Sequence, residues 1–293
     1  MPLPTLPLTD AGTARTLHIS LDGAPLQIHC NDTGAPTPQA QTVVLLHGSG
    51  PGVTGWSNFG RSMGPLADAG YRVLAVTCPG WGPSSAVVST GSRPELNARV
   101  LAAVLDALEL QQPVALIGNS MGAHSAVAFA LARPERVRRL VLVGGGTGAA
   151  SIFQPQLPEG LERMHAVYRT PSLDNLRRML QALAFAPENL QEETVQALWR
   201  SVMARPEHLE NFVRSLEINP RQYPDVGTRL TEISAPALLI WGRDDRFVPL
   251  DIALRLLAGL RHAELHVIGN CGHGVMMEQA PAVNRMALEF LAR

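Results

Sequence analysis

The segment PVALIGNSMG, residues 113–122, decides the fold of this chain. Its first half, Pro113–Ile117, is a short apolar run typical of a strand with both faces buried. A helical pattern, Ser120–Ala132, follows that run. Between them, GNSMG has the G-x-S-x-G spacing of a nucleophile elbow, in which a serine occupies a strained strand-to-helix turn and glycines avoid clashes. The segment therefore predicts a sheet covered by helices, with Ser120 as a candidate nucleophile.

The alternation of strand and helix continues on both sides of this segment. Five further apolar runs are bounded by turn residues: Thr42–Leu46, Arg72–Val76, Arg139–Val143, Pro236–Trp241 and Ala263–Ile268. Helical patterns separate several of them: Glu95–Leu110, Asp251–Leu260 and Ala280–Leu291. This order predicts an α/β protein with a mostly parallel sheet whose strands are buried on both faces. Thr16–Leu21 and Leu26–Cys30 alternate around Asp22-Gly23, which predicts an antiparallel hairpin at the start of the sheet.

The strand rhythm stops after Val143 and resumes at Pro236. The interval contains three helical patterns punctuated by prolines: Leu173–Ala184, Glu192–Ala204 and Pro206–Leu216. We therefore predict a core made of residues 1–147 and 225–293, and a helical lid over residues 148–224. Four apolar side chains of the lid are expected to wall the pocket: Leu180, Leu183, Phe185 and Trp199.

Composition excludes several classes of protein. The 293 residues carry 24 basic and 25 acidic side chains, which gives no electrostatic reason to expect nucleic acid or an anionic membrane as partner. All basic residues are arginine, which removes Schiff-base chemistry, a Ser–Lys dyad and a phosphate-loop lysine. The three cysteines are far apart, and the nine histidines show no H-E-x-x-H spacing. We expect no metal and no cofactor.

Two segments bear on the location of the protein. Met1–Pro7 has no basic residue, and its prolines interrupt any apolar core, so it does not predict a signal peptide. Leu110–Ala132 lacks charged residues, but Pro113, Asn119 and Ser120 would place polar or helix-breaking groups within a membrane span. The sequence therefore predicts a cytoplasmic protein.

A serine nucleophile needs a base, and the base needs an acid that orients it. In this architecture the chain order is serine, acid, histidine. His273, in the loop after the last predicted strand, is the candidate base. The loop after Trp241 offers two aspartates, and the G-x-x-D spacing from Gly242 favours Asp245, with Asp244 as the alternative. His124, one helical turn after Ser120, is either a pocket residue or a packed polar residue.

The oxyanion formed by attack on a carbonyl must meet backbone N–H donors. One is the amide of Met121, directly after the nucleophile. The other is expected from the glycine-rich loop His47–Gly52, where Ser49 is the candidate donor. The alternative is that this loop is an ordinary glycine-rich turn.

Longer stretches resemble the meta-cleavage product hydrolases, members of the α/β-hydrolase fold that cut a carbon–carbon bond in ring-opened aromatic degradation products. The matching stretches are HGSGPGVTGWSNF (47–59), DAGYRV (68–73), GNSMG (118–122), RPEHLENF (205–212), WGRDDRFVPLD (241–251) and CGH (271–273). The resemblance implies a Ser120–His273–Asp245 triad with Ser49 and Met121 as oxyanion donors. It also implies that Asn58 and Asn119 are polar pocket residues, that no cofactor is needed, and that the protein is a homodimer or larger oligomer acting on a small molecule.

Two of the three departures from the family pattern bear on the substrate; the third, Thr77 in place of an aspartate, is expected to be structural. Leu198 stands where the family carries an arginine on a lid helix, and Gly274 stands where a tryptophan usually follows C-G-H. The resemblance implies that this arginine and tryptophan hold the carboxylated end of the substrate. We therefore expect a substrate with an apolar or bulky end, and a void beside Gly274.

The predicted function is that of a serine-type hydrolase that cleaves a carbon–carbon bond in a meta-cleavage-product-like or diketone substrate. A carboxylesterase or lactonase would use the same triad and is the enzymatic alternative. A ligand-binding homologue without activity is the remaining alternative.

Overall fold

The structure, a computed structural model, describes residues 8–154 and 156–293. Met1–Pro7, from which we predict that no signal peptide is present, lies outside the described residues. Within the described part of the chain, every helix is too short or too polar to span a bilayer.

In the described residues, eight strands form one sheet. They are β1 (Ala14–Leu21), β2 (Ala24–Asp32), β3 (Thr42–Leu46), β4 (Arg72–Val76), β5 (Val114–Asn119), β6 (Val137–Val143), β7 (Ala237–Gly242) and β8 (Ala263–Ile268). Their spatial order is β1-β2-β4-β3-β5-β6-β7-β8. The β1–β2 and β2–β4 pairs are antiparallel, and the other pairs are parallel. The predicted α/β architecture with its opening hairpin is confirmed.

The helices lie on both faces of the sheet and in one insertion. They are α1 (Asp10–Thr13), α2 (Gly55–Asp68), α3 (Arg93–Ala107), α4 (Met121–Ala132), α5 (Glu159–Arg169), α6 (Leu173–Leu183), α7 (Glu192–Ala204), α8 (Pro206–Ile218), α9 (Leu250–Gly259), α10 (Val275–Glu278) and α11 (Ala280–Leu291). Helices α3, α4 and α9 pack on one face of the sheet, and α2 and α11 pack on the other. Helices α5–α8, here called the helical insertion, connect β6 to β7.

Burial along the sheet follows from strand position. The central strands β3, β5 and β7 are buried at every residue, because helices cover both faces. The expectation of burial on both faces is wrong for β8, where Val267 is 44% exposed. This strand is the edge of the sheet and has a neighbouring strand on one side only.

The helical insertion has its own apolar cluster, and that cluster includes core residues. Its members from the insertion include Met164, Leu180 and Phe212, and these pack with Trp81 and Phe247 of the core. The insertion therefore sits on the end of the sheet where β5 passes into α4. This is the edge at which open α/β sheets bind their ligands.

One close contact fixes α4 against β3. A Cβ atom built on Gly122 would lie 1.8 Å from the carbonyl oxygen of Leu46, and one built on Gly118 would lie 2.4 Å from the carbonyl oxygen of Gly122. Both glycines are therefore required by close approach of the backbone.

We predict that Gly122→Ala lowers the free energy of unfolding by about 3 kcal/mol, because a methyl group there must displace backbone. The matched control is Gly64→Ala in α2, where an added Cβ meets no atom within 4 Å. That control should raise the stability by about 0.5–1 kcal/mol through the better helix propensity of alanine. Urea unfolding of both variants measures the difference, and equal midpoints would contradict the prediction.

Candidate active site

The candidate nucleophile lies in a strained turn. Ser120 joins β5 to α4 with φ 52° and ψ −117°, a conformation that costs a non-glycine residue about 1–3 kcal/mol. Its N–H donates to the carbonyl of Val143 at 2.8 Å. The backbone also passes close to Gly145, where a Cβ would lie 2.6 Å from the carbonyl oxygen of Ser120. The surrounding backbone thus holds the serine in place.

The candidate base and acid form a buried pair. Nδ1 of His273 lies 2.7 Å from Oδ2 of Asp245, and the two side chains are 6% and 1% exposed. The other carboxylate oxygen accepts N–H bonds from Phe247 at 2.7 Å and Val248 at 2.9 Å. Since a carboxylate only accepts, Nδ1 carries the proton and Nε2 is left with a lone pair. The ring of Phe247 stacks on the imidazole, with centroids 4.7 Å apart.

Asp244 lies in a different environment. Its carboxylate accepts from the N–H of Cys271 at 3.3 Å and from the guanidinium of Arg243 at 3.4 Å, and the side chain is 30% exposed. It therefore ties two loops together at the surface, while Asp245 contacts the imidazole.

The helical insertion binds the loop that carries His273. The N–H groups of His273 and Gly274 both donate to the carbonyl of Leu183, at 2.9 and 3.2 Å. The carboxylate of Glu278 accepts from the N–H of Gly272 at 3.0 Å and from that of Phe185 at 2.8 Å. The end of α6 and the histidine loop are consequently held as one unit.

The glycine-rich loop after β3 is held by side chains on several of its carbonyls. Nε2 of His47 accepts from the N–H of Cys78, so Nδ1 carries the proton and donates to the carbonyl of Gly48 at 2.7 Å. The hydroxyl of Tyr168 donates to the carbonyl of Ser49 at 2.7 Å. Burial lowers the pKa of His47 to about 4, despite the opposing hydrogen bond to Gly48, and keeps it neutral. These bonds fix the orientation of the Ser49 peptide.

A cavity of about 310 Å³ brings most of the predicted site residues together. It is lined by Ser120 and His273 and by five of the other predicted positions: Ser49, Asn58, Asn119, Leu198 and Gly274. The side-chain oxygen of Asn58 also accepts from the N–H of Gly48 at 3.1 Å. Met121 is 1% exposed, directly after the nucleophile. The arrangement suits attack by a serine on a bound carbonyl carbon.

Several expectations about the pocket walls need correction. Leu180 and Leu183 line the cavity, but Trp199 packs within the insertion and Phe185 is 42% exposed. The void expected beside Gly274 is filled, because a Cβ there would lie 2.6 Å from a methyl carbon of Leu183.

His124 is a packed residue rather than a lining residue of this cavity. Its ring meets that of Tyr223 edge-on, with centroids 5.1 Å apart, beside a separate cavity of about 150 Å³. Burial lowers its pKa to about 4.

Metal ligation receives no support from the described part of the chain. Residues 8–154 and 156–293 contain no group of three or more His, Cys, Asp or Glu side chains placed to hold a metal ion. The chemistry described above uses only protein groups.

Two residues that hold the site, Tyr168 and Glu278, carry no recognisable signal in the sequence. Tyr168 lies in α5, a helix that the sequence patterns did not predict, and its acceptor is 119 residues away. Glu278 follows His273 by five residues, and only the fold reveals that it reaches Phe185.

The chain is similar to known hydrolases both in sequence and in fold. A family profile described as "Alpha/beta hydrolase family" matches residues 43–286. The chain is 54% identical over 284 residues to a 2-hydroxy-6-oxononadienedioate/2-hydroxy-6-oxononatrienedioate hydrolase of Cupriavidus pinatubonensis, covering 97% of both chains. A protein of the same name from Escherichia coli K12 is 51% identical over 98% of both chains. A solved meta-cleavage product hydrolase of Pseudomonas fluorescens superposes with a TM-score of 0.82 at 30% identity, covering 94% of this chain and 97% of that one.

The two adjacent aspartates can be separated by amide substitution. We predict that Asp245→Asn lowers kcat about 10⁴-fold, because an amide favours the wrong imidazole tautomer. Asp244→Asn is the matched control and should change kcat/KM only slightly. Steady-state kinetics measures both, and a larger loss for Asp244→Asn would reverse the assignment of the acid.

The hydroxyl of Tyr168 can be removed without changing the packing of its ring. Tyr168→Phe should lower kcat about two- to tenfold with little change in KM, since a lost hydrogen bond of about 0.5–1.5 kcal/mol loosens the Ser49 peptide. Tyr71→Phe, which removes a hydroxyl before β4, is the control. A change confined to KM would show that the hydroxyl serves substrate binding instead.

Proposed function

Since the chain belongs to the α/β-hydrolase family and is a hydrolase, we propose that it cleaves a carbon–carbon bond next to a ketone, in a ring-opened aromatic degradation product or a diketone. Ser120 is the nucleophile, His273 the base and Asp245 the orienting acid. One observation carries the proposal. The 2.7 Å hydrogen bond between Asp245 and His273 lies beside a cavity that the strained Ser120 also lines. The activities for which relatives more than 50% identical are named support the choice of bond.

The first half of the reaction forms an acyl-enzyme. Nε2 of His273 takes the proton of Ser120 as Oγ attacks the ketone carbon. The carbonyl oxygen becomes an oxyanion that accepts hydrogen bonds from the N–H groups of Met121 and Ser49. Asp245 stabilises the imidazolium through its hydrogen bond to Nδ1.

Collapse of this intermediate breaks the carbon–carbon bond. The leaving carbon departs as a carbanion equivalent, which requires prior ketonisation of a dienol substrate, and the imidazolium returns its proton to that carbon. Water, deprotonated by His273, then attacks the acyl-enzyme and releases a carboxylic acid and free Ser120. One water is consumed, and each product of the cleavage leaves with a complete valence.

In this proposal residues 148–224 act as a lid over the core formed by residues 1–147 and 225–293. Apolar residues of the insertion roof the cavity, among them Leu161, Met164 and Met179. Exclusion of water strengthens the hydrogen bonds to the oxyanion.

Ester or lactone hydrolysis is the second candidate function, and the apolar lining of the cavity favours it. An ester would form the same acyl-enzyme, with an alkoxide in place of the carbon leaving group. The same triad therefore serves both reactions.

The proposal includes a cytoplasmic location and a homodimer or larger homo-oligomer, with no nucleic-acid or membrane partner. The net charge of −1 and the three buried thiols support the location. Ile152 and Phe153, which are 81% and 77% exposed, support contact with a second copy, because exposed apolar groups mark interaction surfaces.

Substitution of the triad tests the catalytic proposal. Ser120→Ala and His273→Asn should each lower turnover of a ring-opened ketone by several orders of magnitude, because triad members act as a unit. His124→Asn, which lies beside the elbow but outside the cavity, is the control and should retain activity. A fluorophosphonate should label Ser120 of the unmodified protein. Absence of the adduct, or turnover by Ser120→Ala, would contradict the proposal.

A further inference from the structure

The cavity around Ser120 is electrically neutral apart from the catalytic imidazole. Among the described residues that line it, His273 is the only one with an ionisable side chain, and none is an arginine. The chain has no lysine at all. The remaining polar lining groups are hydroxyls and amides, which provide no cation for a bound carboxylate.

Helix α7 shows how this neutrality arises. Four of its residues line the cavity with the spacing of one helical face: Thr194, Ala197, Leu198 and Ser201. Arg200, two residues after Leu198, is exposed and points about 200° away around the helix. Arg205, just beyond the end of α7, is paired with Glu207. The guanidinium groups near this wall are thus directed elsewhere.

Behind Gly274, a carboxylate lies close to the cavity but outside its lining. A carboxylate oxygen of Glu278 lies 3.4 Å from where a Cβ of Gly274 would stand. The nearby guanidinium of Arg61 donates to the carbonyl of Met277 at 2.9 Å and is not part of the lining. Neither group places a cation in the lining for a substrate carboxylate.

The neutral lining of this cavity does not match the charge of the substrates for which its relatives are named. The relatives described above are named for nonadienedioates and nonatrienedioates, which carry two carboxylates. A carboxylate moved from water into an apolar cavity without a cationic partner loses its hydration without compensation.

Resting on the proposed function, we propose that this cavity selects carbonyl substrates that are uncharged apart from the reacting group. The substrate class is a diketone or an ester with an apolar end, and dicarboxylates are disfavoured. Leu198 is the specificity-determining residue, since it holds the centre of the α7 wall.

Binding to the inactive Ser120→Ala protein tests this inference without turnover. The probes are 2-hydroxy-6-oxononadienedioate and its dimethyl ester, titrated calorimetrically. The diester should bind at least about tenfold more tightly than the dianion. Adding Leu198→Arg should raise affinity for the dianion about ten- to hundredfold, the range expected for a hydrogen bond to a charged group. Leu198→Gln, the neutral control of similar length, should not produce this gain in affinity for the dianion.

Leu198 is half-buried, so an arginine there could impair folding. A second variant avoids this problem. Ala197→Arg places a guanidinium on the same face from an exposed site and should produce the same gain for the dianion. Equal binding of dianion and diester by the Ser120→Ala protein would overturn the inference. Loss of dianion binding on Arg61→Gln would also overturn it, because the carboxylate would then be held at Arg61.

Turnover by the unmodified enzyme separates this inference from the proposed function. Ser120-dependent hydrolysis of an uncharged diketone supports both. Hydrolysis of an aryl ester without hydrolysis of the diketone would favour the ester function over carbon–carbon cleavage. If neither substrate nor the dienedioate is hydrolysed, the proposed function fails, while the binding comparison still decides the selection against charge.

Discussion

The left-handed backbone of Ser120 is the constraint on which the rest of the site depends. Glycines on several sides allow it, because Gly118, Gly122 and Gly145 each lie where a Cβ would strike backbone. The contact of Gly122 with the end of β3 also sets the distance between the elbow and the loop that begins at His47. The proposed nucleophile and the two amides proposed to bind the oxyanion are therefore positioned by one arrangement of main chain, on a sheet whose central strands are fully buried.

The helical insertion completes the site through hydrogen bonds to the main chain of the core. Leu183 holds the histidine loop, Tyr168 holds the Ser49 peptide, and the hydroxyl of Ser201 donates to the carbonyl of Gly52 at 2.6 Å. His273 and the loop that contains Ser49 are separated by more than two hundred residues of sequence, yet both are hydrogen-bonded to this insertion. The packing of the insertion on the core therefore both encloses the cavity and fixes the position of groups that line it.

Sequence patterns predicted most of the strands and the turn at Ser120, because burial and backbone strain restrict which residue types a position can carry. Apolar runs predicted the six parallel strands, and the G-x-S-x-G spacing predicted the turn at Ser120. Helix α2 was missed because Gly64 and Pro65 interrupt its pattern, and α5 was missed because it lies in the interval without strands. The edge position of β8 depends on strand order, which no local pattern reports.

Side-chain contacts between distant segments were the least predictable part. The expected void beside Gly274 depended on what the insertion places there, and Leu183 fills it. Tyr168 and Glu278 act on partners that only the tertiary fold brings near. By contrast, the choice of Asp245 over Asp244 rested on local spacing, and the local geometry keeps those two side chains apart.

Leu183 contributes to the site in two independent ways. Its carbonyl accepts from the N–H groups of His273 and Gly274, a bond that any amino acid at this position can make, while its side chain shapes the cavity. Mutation at this codon can therefore alter which molecules fit without loosening the histidine loop. The shape of the cavity and the position of His273 can therefore change separately, since one depends on the side chain of Leu183 and the other on its backbone.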